Sequence, residues 1–185
     1  MTAGGLAACV ADRWSPQIGD PHLMGWVTVA AYAAAAALAG IVAARGRTRA
    51  GAFWSVLAVL LALFAVNKQL DLQSALTAIG RCLAKAQGWY ENRRVAQAAF
   101  IAVLALAGLG FLAVMLRALR GRLAENGLAA AGTAFLVTFV LVRAVGFHHV
   151  DAMLRMPVAG LRMNWILELG GIALIAANAA ALLRR

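Results

Sequence analysis

Acidic residues are scarce in this chain, with seven Asp and Glu among 185 residues. Charged residues of both signs make up only 13%, against about 25% in a soluble domain. That shortage, with a mean hydropathy of +0.82, excludes an ordinary soluble fold and points to a multi-pass membrane protein. Catalytic signatures are missing as well. The sequence has no HExxH or CxxC pattern, no Walker loop, no dinucleotide fingerprint and no Ser-His-Asp spacing. Cysteine occurs only at Cys9 and Cys82. "LAAC" at residues 6 to 9 has the look of a lipoprotein cleavage site. It lacks a basic segment before it, and its apolar stretch is too short for a signal peptide.

What fills the chain instead is long apolar runs. Uncharged stretches lie between His22 and Arg45, Arg49 and Lys68, and Arg94 and Arg117. Two more carry one charge each: 126–147 contains Arg143, and 163–183 contains Glu168. Each has about the 20 residues a span needs. The expected fold is all-α and polytopic. It has five transmembrane helices, near 25–44, 50–70, 95–116, 127–148 and 163–183, in a single domain over 25–185. Residues 1–24 form an extracytoplasmic N-terminal segment.

The net charge of +10 does not indicate a nucleic-acid partner. The bases sit at helix ends and build no continuous soluble patch. Anionic lipid headgroups are their natural counterpart. Arg45/Arg47/Arg49, Arg117/Arg120/Arg122 and Arg184/Arg185 all fall on one side of a five-span chain. The positive-inside rule makes that side cytoplasmic, with the N-terminus outside and the C-terminus inside. A bare count of Lys and Arg does not decide, since eight of the 17 fall inside and nine outside. The inner clusters, however, abut the spans with only Glu125 as an acidic neighbour. Both cysteines then lie outside, where an oxidising compartment permits a disulfide between them.

Two outer connections stand out. In residues 71–87, Leu72, Leu76, Ile79 and Leu83 repeat at helical steps, while Gln73, Thr77, Arg81 and Lys85 take another face. This pattern predicts an interfacial amphipathic helix ended by Gly88. The shorter connection before 163 holds Pro157 and Gly160, which prevent a long helix. NKQLD and FHHVD also echo each other at an offset of 80, each closing a span before an outer connection.

The proposed topology puts His22, His148 and His149 outside, with every acid except Glu125. A polar site at the outer helix ends is therefore expected. Its candidate ligand-binding residues are Asn67, Lys68, Asp71, Arg94, Gln97, Arg143, His148, Asp151, Asn164 and Glu168. Asn67 and Asp71 share a helix face, as do Asn164 and Glu168, and polar stripes of this kind turn away from lipid. Arg143 and Glu168 lie deepest and at one depth. They read either as a structural ion pair or as an anion-binding or proton-exchanging pair. FHHVD admits a divalent metal site built from His148 and Asp151 with Asp71, Glu91 or His22 as a third ligand, or a hydrogen-bonded network, or acid–base chemistry without metal. His149 lies about 100° round from His148 and suits the interface. Haem is disfavoured, because both histidines lie at one helix end.

Taken together, NKQLDLQ, GWYENRR, FHHVD and NWILEL make residues 50–185 resemble a group of uncharacterised bacterial multi-pass inner-membrane proteins. The resemblance implies a bacterial plasma-membrane location and supplies no activity. Site chemistry then leaves two functional classes. One is a protein that binds a lipid or lipid-linked anionic ligand, or serves other membrane proteins as an accessory. The other is a membrane-embedded hydrolase or transferase acting on lipid, with or without metal.

Overall fold

The computed structural model describes all residues except 1, 2, 16, 17, 47, 71, 89, 90, 92, 146–155 and 159. Among the described residues there are seven α-helices and one two-stranded hairpin. In chain order they are α1 (Ala3–Arg13), α2 (Leu23–Ala44), α3 (Gly51–Leu70), α4 (Leu72–Ala86), α5 (Arg93–Ala118), α6 (Leu123–Val145), β1 (Pro157–Val158), β2 (Leu161–Arg162) and α7 (Met163–Leu183). Five of them, α2, α3, α5, α6 and α7, are long and apolar enough to cross a membrane. The chain is an all-α multi-pass membrane protein. Helices are forced on such segments because hydrocarbon offers no partner to a backbone N–H or C=O.

The spans pack in the order α3–α2–α7–α6–α5. Each inner stripe repeats at steps of three and four. Tyr32, Ala35, Ala39 and Val42 form it on α2, and Trp54, Leu57 and Leu61 on α3. Ile172, Ile175, Ala179 and Leu182 form it on α7. Small residues set the spacing, as they do between membrane helices generally. A Cβ on Gly132 of α6 would stand 2.7 Å from the carbonyl oxygen of Gly171 on α7, so the two backbones meet there directly. α5 packs chiefly on α6. Its exposed Val103, Leu106, Leu109 and Val114 are suited to face hydrocarbon.

Residues 48–50, the 119–122 turn and Arg185 gather at one end of the bundle, here called the arginine end. A polar network locks it. Trp54 Nε1 donates to Asn126 Oδ1 at 2.8 Å. Asn126 Nδ2 donates to the Arg122 carbonyl at 3.0 Å, and Thr48 Oγ1 donates to Glu125 Oε2 at 3.1 Å. Asn178 accepts from the Ala129 N–H at 2.9 Å and donates to the Glu125 carbonyl at 2.9 Å. Three spans, α3, α6 and α7, are tied by groups that use both their donors and their acceptors.

At the opposite end, α4 forms where the amphipathic pattern predicts a helix. Gly88 follows it at φ +75°, a conformation that costs a residue without Cβ little. Ala78 and Cys82 on its buried face meet α1. A disulfide joins Cys9 of α1 to Cys82 of α4, with Cα atoms 6.1 Å apart. The 163-side connection ends in the β1–β2 hairpin, in which Pro157 pairs with Arg162.

Candidate functional site

The buried stripe of α3 continues past Leu61 through Phe64 to Lys68. The stripe of α7 passes through Trp165 and Glu168. Helical periodicity thus carries a lysine and a glutamate into the interior near the end opposite the arginines, and there they meet. Lys68 Nζ donates to Glu168 Oε2 in a direct ion pair, and both side chains are about 95% buried, at 5% and 4% exposure. A buried pair of this kind is costly to break, because either charge alone would be left desolvated.

Two further charges complete the cluster. Arg143, in the last turns of α6, places Nη1 4.0 Å from Glu168 Oε1. Its side chain is 37% exposed, the most accessible charge of the four. Asp20 comes from the connection between α1 and α2. Its carboxylate lies 3.8 Å from Lys68 Nζ and accepts a hydrogen bond from Trp165 Nε1 at 2.8 Å. The four charges sum to zero, which fits their burial.

The 18–22 segment is fastened over these helix ends. Gly19 N donates to the Gln69 carbonyl at 2.7 Å. The Asp20 carbonyl oxygen presses on α2 at Gly25, where a Cβ would stand only 2.5 Å away. A side chain there would push Asp20 away from its partners. At the rim, Arg162 Nη2 and His22 Nε2 are 3.2 Å apart. Arginine has no acceptor, so in this contact the guanidinium donates and the imidazole nitrogen accepts. The Arg162 guanidinium also lies 5.2 Å from the Trp165 ring centre, and His22 meets that ring edge to face at 6.0 Å.

Spare hydrogen-bonding capacity surrounds the cluster. The Tyr32 hydroxyl, both amide atoms of Gln69 and Asn164 Oδ1 are buried and have no hydrogen-bond partner among the described residues. Tyr32 packs edge to face on Phe64 at 6.0 Å, one turn along α3 from Lys68. A buried polar atom without a partner costs stability, so a group of them beside an accessible cation is suited to a polar ligand.

Of the residues expected from sequence, the structure brings together Lys68, Arg143 and Glu168, with Asn164 on the same turns of α7. The expected Arg143–Glu168 pair is present as the longer contact, and Lys68 is the closer partner. Asn67 is partly buried and Gln97 is exposed on α5. No hydrogen bond joins either to the cluster among the described residues. Asp71, His148, His149 and Asp151 lie outside the described residues, and so does the side chain of Arg94. The metal set of His148, Asp151 and Asp71 and the echo of NKQLD with FHHVD fall there too. Sequence reasoning did not find Asp20, Tyr32, Gln69 or Trp165. The α3 stripe ending in Lys68 was the available signal for that lysine's inward face.

Comparison with family models, curated proteins and solved structures returns no match. The site is therefore read from its own chemistry.

Proposed function

We propose that the protein binds a lipid or lipid-linked molecule with an anionic headgroup, in the outer half of a bacterial inner membrane. The observation that carries this reading is Arg143, 37% exposed and 4.0 Å from Glu168 of the buried Lys68–Glu168 pair. An anion arriving from the membrane plane or the outer surface meets that guanidinium first. Arginine is well suited to a phosphate or carboxylate, which it can hold with two parallel N–H donors. Gln69 supplies donors and acceptors for the rest of a polar headgroup, and Asn164 Oδ1 supplies an acceptor. The surrounding spans offer an apolar course for the tail.

Two independent features support the orientation. A disulfide between α1 and α4 supports an oxidising compartment at that end. Arginine-rich loops at the other end support the cytoplasm there. The N-terminus is then outside and the C-terminus inside. A periplasm-dependent reporter works when fused ahead of α2 and fails after Arg185; the reverse pattern overturns the orientation.

The binding reading is tested by purifying the protein in mild detergent and identifying bound lipid by mass spectrometry. One anionic lipid species is expected at near-stoichiometric level. Arg143→Met should remove it, and Arg143→Lys should keep part of it. Equal lipid content in the native chain and Arg143→Met overturns the reading.

A further inference from the structure

A second feature lies at the other end of the molecule and is independent of the Arg143 cluster. The last turns of α5 and the first turns of α6 enclose an apolar groove of about 270 Å³. Leu112, Met115 and Leu116 form one wall, and Gly127, Ala131 and Ala134 form the other. The asymmetry of the walls makes the space. Long side chains on α5 face mostly small ones on α6, where Leu123 is the large residue of the lining, and nothing stands within 4 Å of where a Cβ on Gly127 would be.

The groove runs toward the 119–122 turn. Arg117 stands in the last turn of α5, next to Leu116 of the groove, and Arg120 follows in the turn itself. Arg117 and Arg120 are exposed. Arg122 donates from Nη1 to the Arg49 carbonyl at 2.7 Å and so belongs to the fold. Among the described residues the one acid at this end, Glu125, faces Thr48 and Arg185. Eight arginines against one glutamate leave the end strongly positive.

We infer that this groove holds one acyl chain of an anionic phospholipid whose headgroup rests on Arg120 and Arg117. The charge specifies the headgroup, since basic residues at a membrane surface attract anionic lipid. The lining is apolar throughout, which suits a hydrocarbon chain lying along it.

The test adds phosphatidylglycerol or phosphatidylcholine of identical chains to the detergent-solubilised full-length protein. Lipid retained is counted by native mass spectrometry. All measurements are made in the Arg143→Met background, so that the outer cluster cannot supply the signal. Phosphatidylglycerol should be retained preferentially. Each of Arg117→Gln and Arg120→Gln should lower that preference about fivefold, the effect expected of one base near a charged surface. Gly127→Leu, which fills the groove without meeting backbone, should lower retention of both lipids. Ala131→Leu should do the same and guards against a folding defect peculiar to one site. Equal retention of the two lipids, or a preference unchanged by either arginine substitution, overturns the inference. So does a Gly127→Leu variant that alters oligomeric state while keeping its lipid, because the groove would then belong to a second copy.

Discussion

The two ends of the bundle hold polar groups in opposite ways. At the arginine end, Trp54, Asn126, Thr48 and Asn178 form neutral or singly charged hydrogen bonds across three helices. Donors there meet acceptors. At the other end, Lys68, Glu168, Asp20 and Arg143 place four full charges among helices, with Tyr32, Gln69 and Asn164 left holding unpartnered atoms. The first arrangement is complete as it stands. The second is strong at its centre and incomplete at its edge. A network built only to hold helices together has no use for incomplete edges, since every orphaned polar atom subtracts stability. The difference separates a structural lock from a candidate site.

The largest expected effect tests the centre of that cluster. Glu168→Ala leaves Lys68 buried with only the 3.8 Å contact to Asp20. The loss should be about 3–5 kcal/mol in denaturant unfolding in detergent, as for other broken buried pairs. Lys68→Met combined with Glu168→Ala should cost less than the sum of the two single variants, giving a coupling energy in the double-mutant cycle. Additive losses would show that Lys68 and Glu168 do not act as a pair, and the contrast between the two ends would collapse.

Next in size is the tether. Cys82→Ser removes the link between α1 and α4. The cost should be about 2–4 kcal/mol, the usual range for a native disulfide. Because α1 packs chiefly on α4, the damage should concentrate there. Limited proteolysis should cut ahead of α2 in the variant while the spans remain intact. Equal protease resistance in variant and native chain would mean that α1 is held without the bond.

A smaller effect probes the lock. Asn126→Ala leaves the Trp54 indole N–H without its acceptor in the interior. About 1–3 kcal/mol should be lost. Trp54→Phe in the same chain should soften that loss, because the orphaned donor is gone. If Asn126→Ala costs more than Glu168→Ala, the ranking of the two ends is inverted.

Sequence and structure agree where chemistry is conspicuous. The five spans were legible because charges punctuate them, and Lys68, Arg143 and Glu168 were legible because a charge in an apolar run needs a reason. The lock was not. Trp54 and Asn126 are 72 positions apart, and an indole and an amide in membrane helices give no signal of pairing. Asp20 was missed for a related cause. It sits in a connection without periodicity, and its partner Trp165 is 145 positions away. Tyr32 lies in an alanine-rich run and reads as core, which its ring is; only the hydroxyl distinguishes it. Periodicity shows which face a residue takes. It does not show which distant helix that face meets, which is how the nearer partner of Glu168 proved to be Lys68.

The smallest effects on stability sharpen the comparison most. Arg143 and Arg185 each stand about 4 Å from a glutamate, at 4.0 and 3.9 Å. Neither contact should matter much to folding. Arg185 is 70% exposed, and solvent screens such pairs to about 0–1 kcal/mol. Arg143 is partly exposed, and Glu168 keeps Lys68 when Arg143 is removed. Arg185→Ala should therefore unfold within about 1 kcal/mol of the native chain, and loss of the 4.0 Å contact to Glu168 should by itself cost Arg143→Met no more than that. Their ligand content should differ. Arg185 belongs to the end where polar groups are already satisfied, and its loss should leave the outer lipid in place. Arg143 borders the incomplete cluster, and its loss should strip that lipid. A large stability loss in Arg143→Met would make it a structural partner of Glu168 after all. Equal ligand loss in both variants would trace the lipid to general surface charge, and the two ends would no longer differ in function.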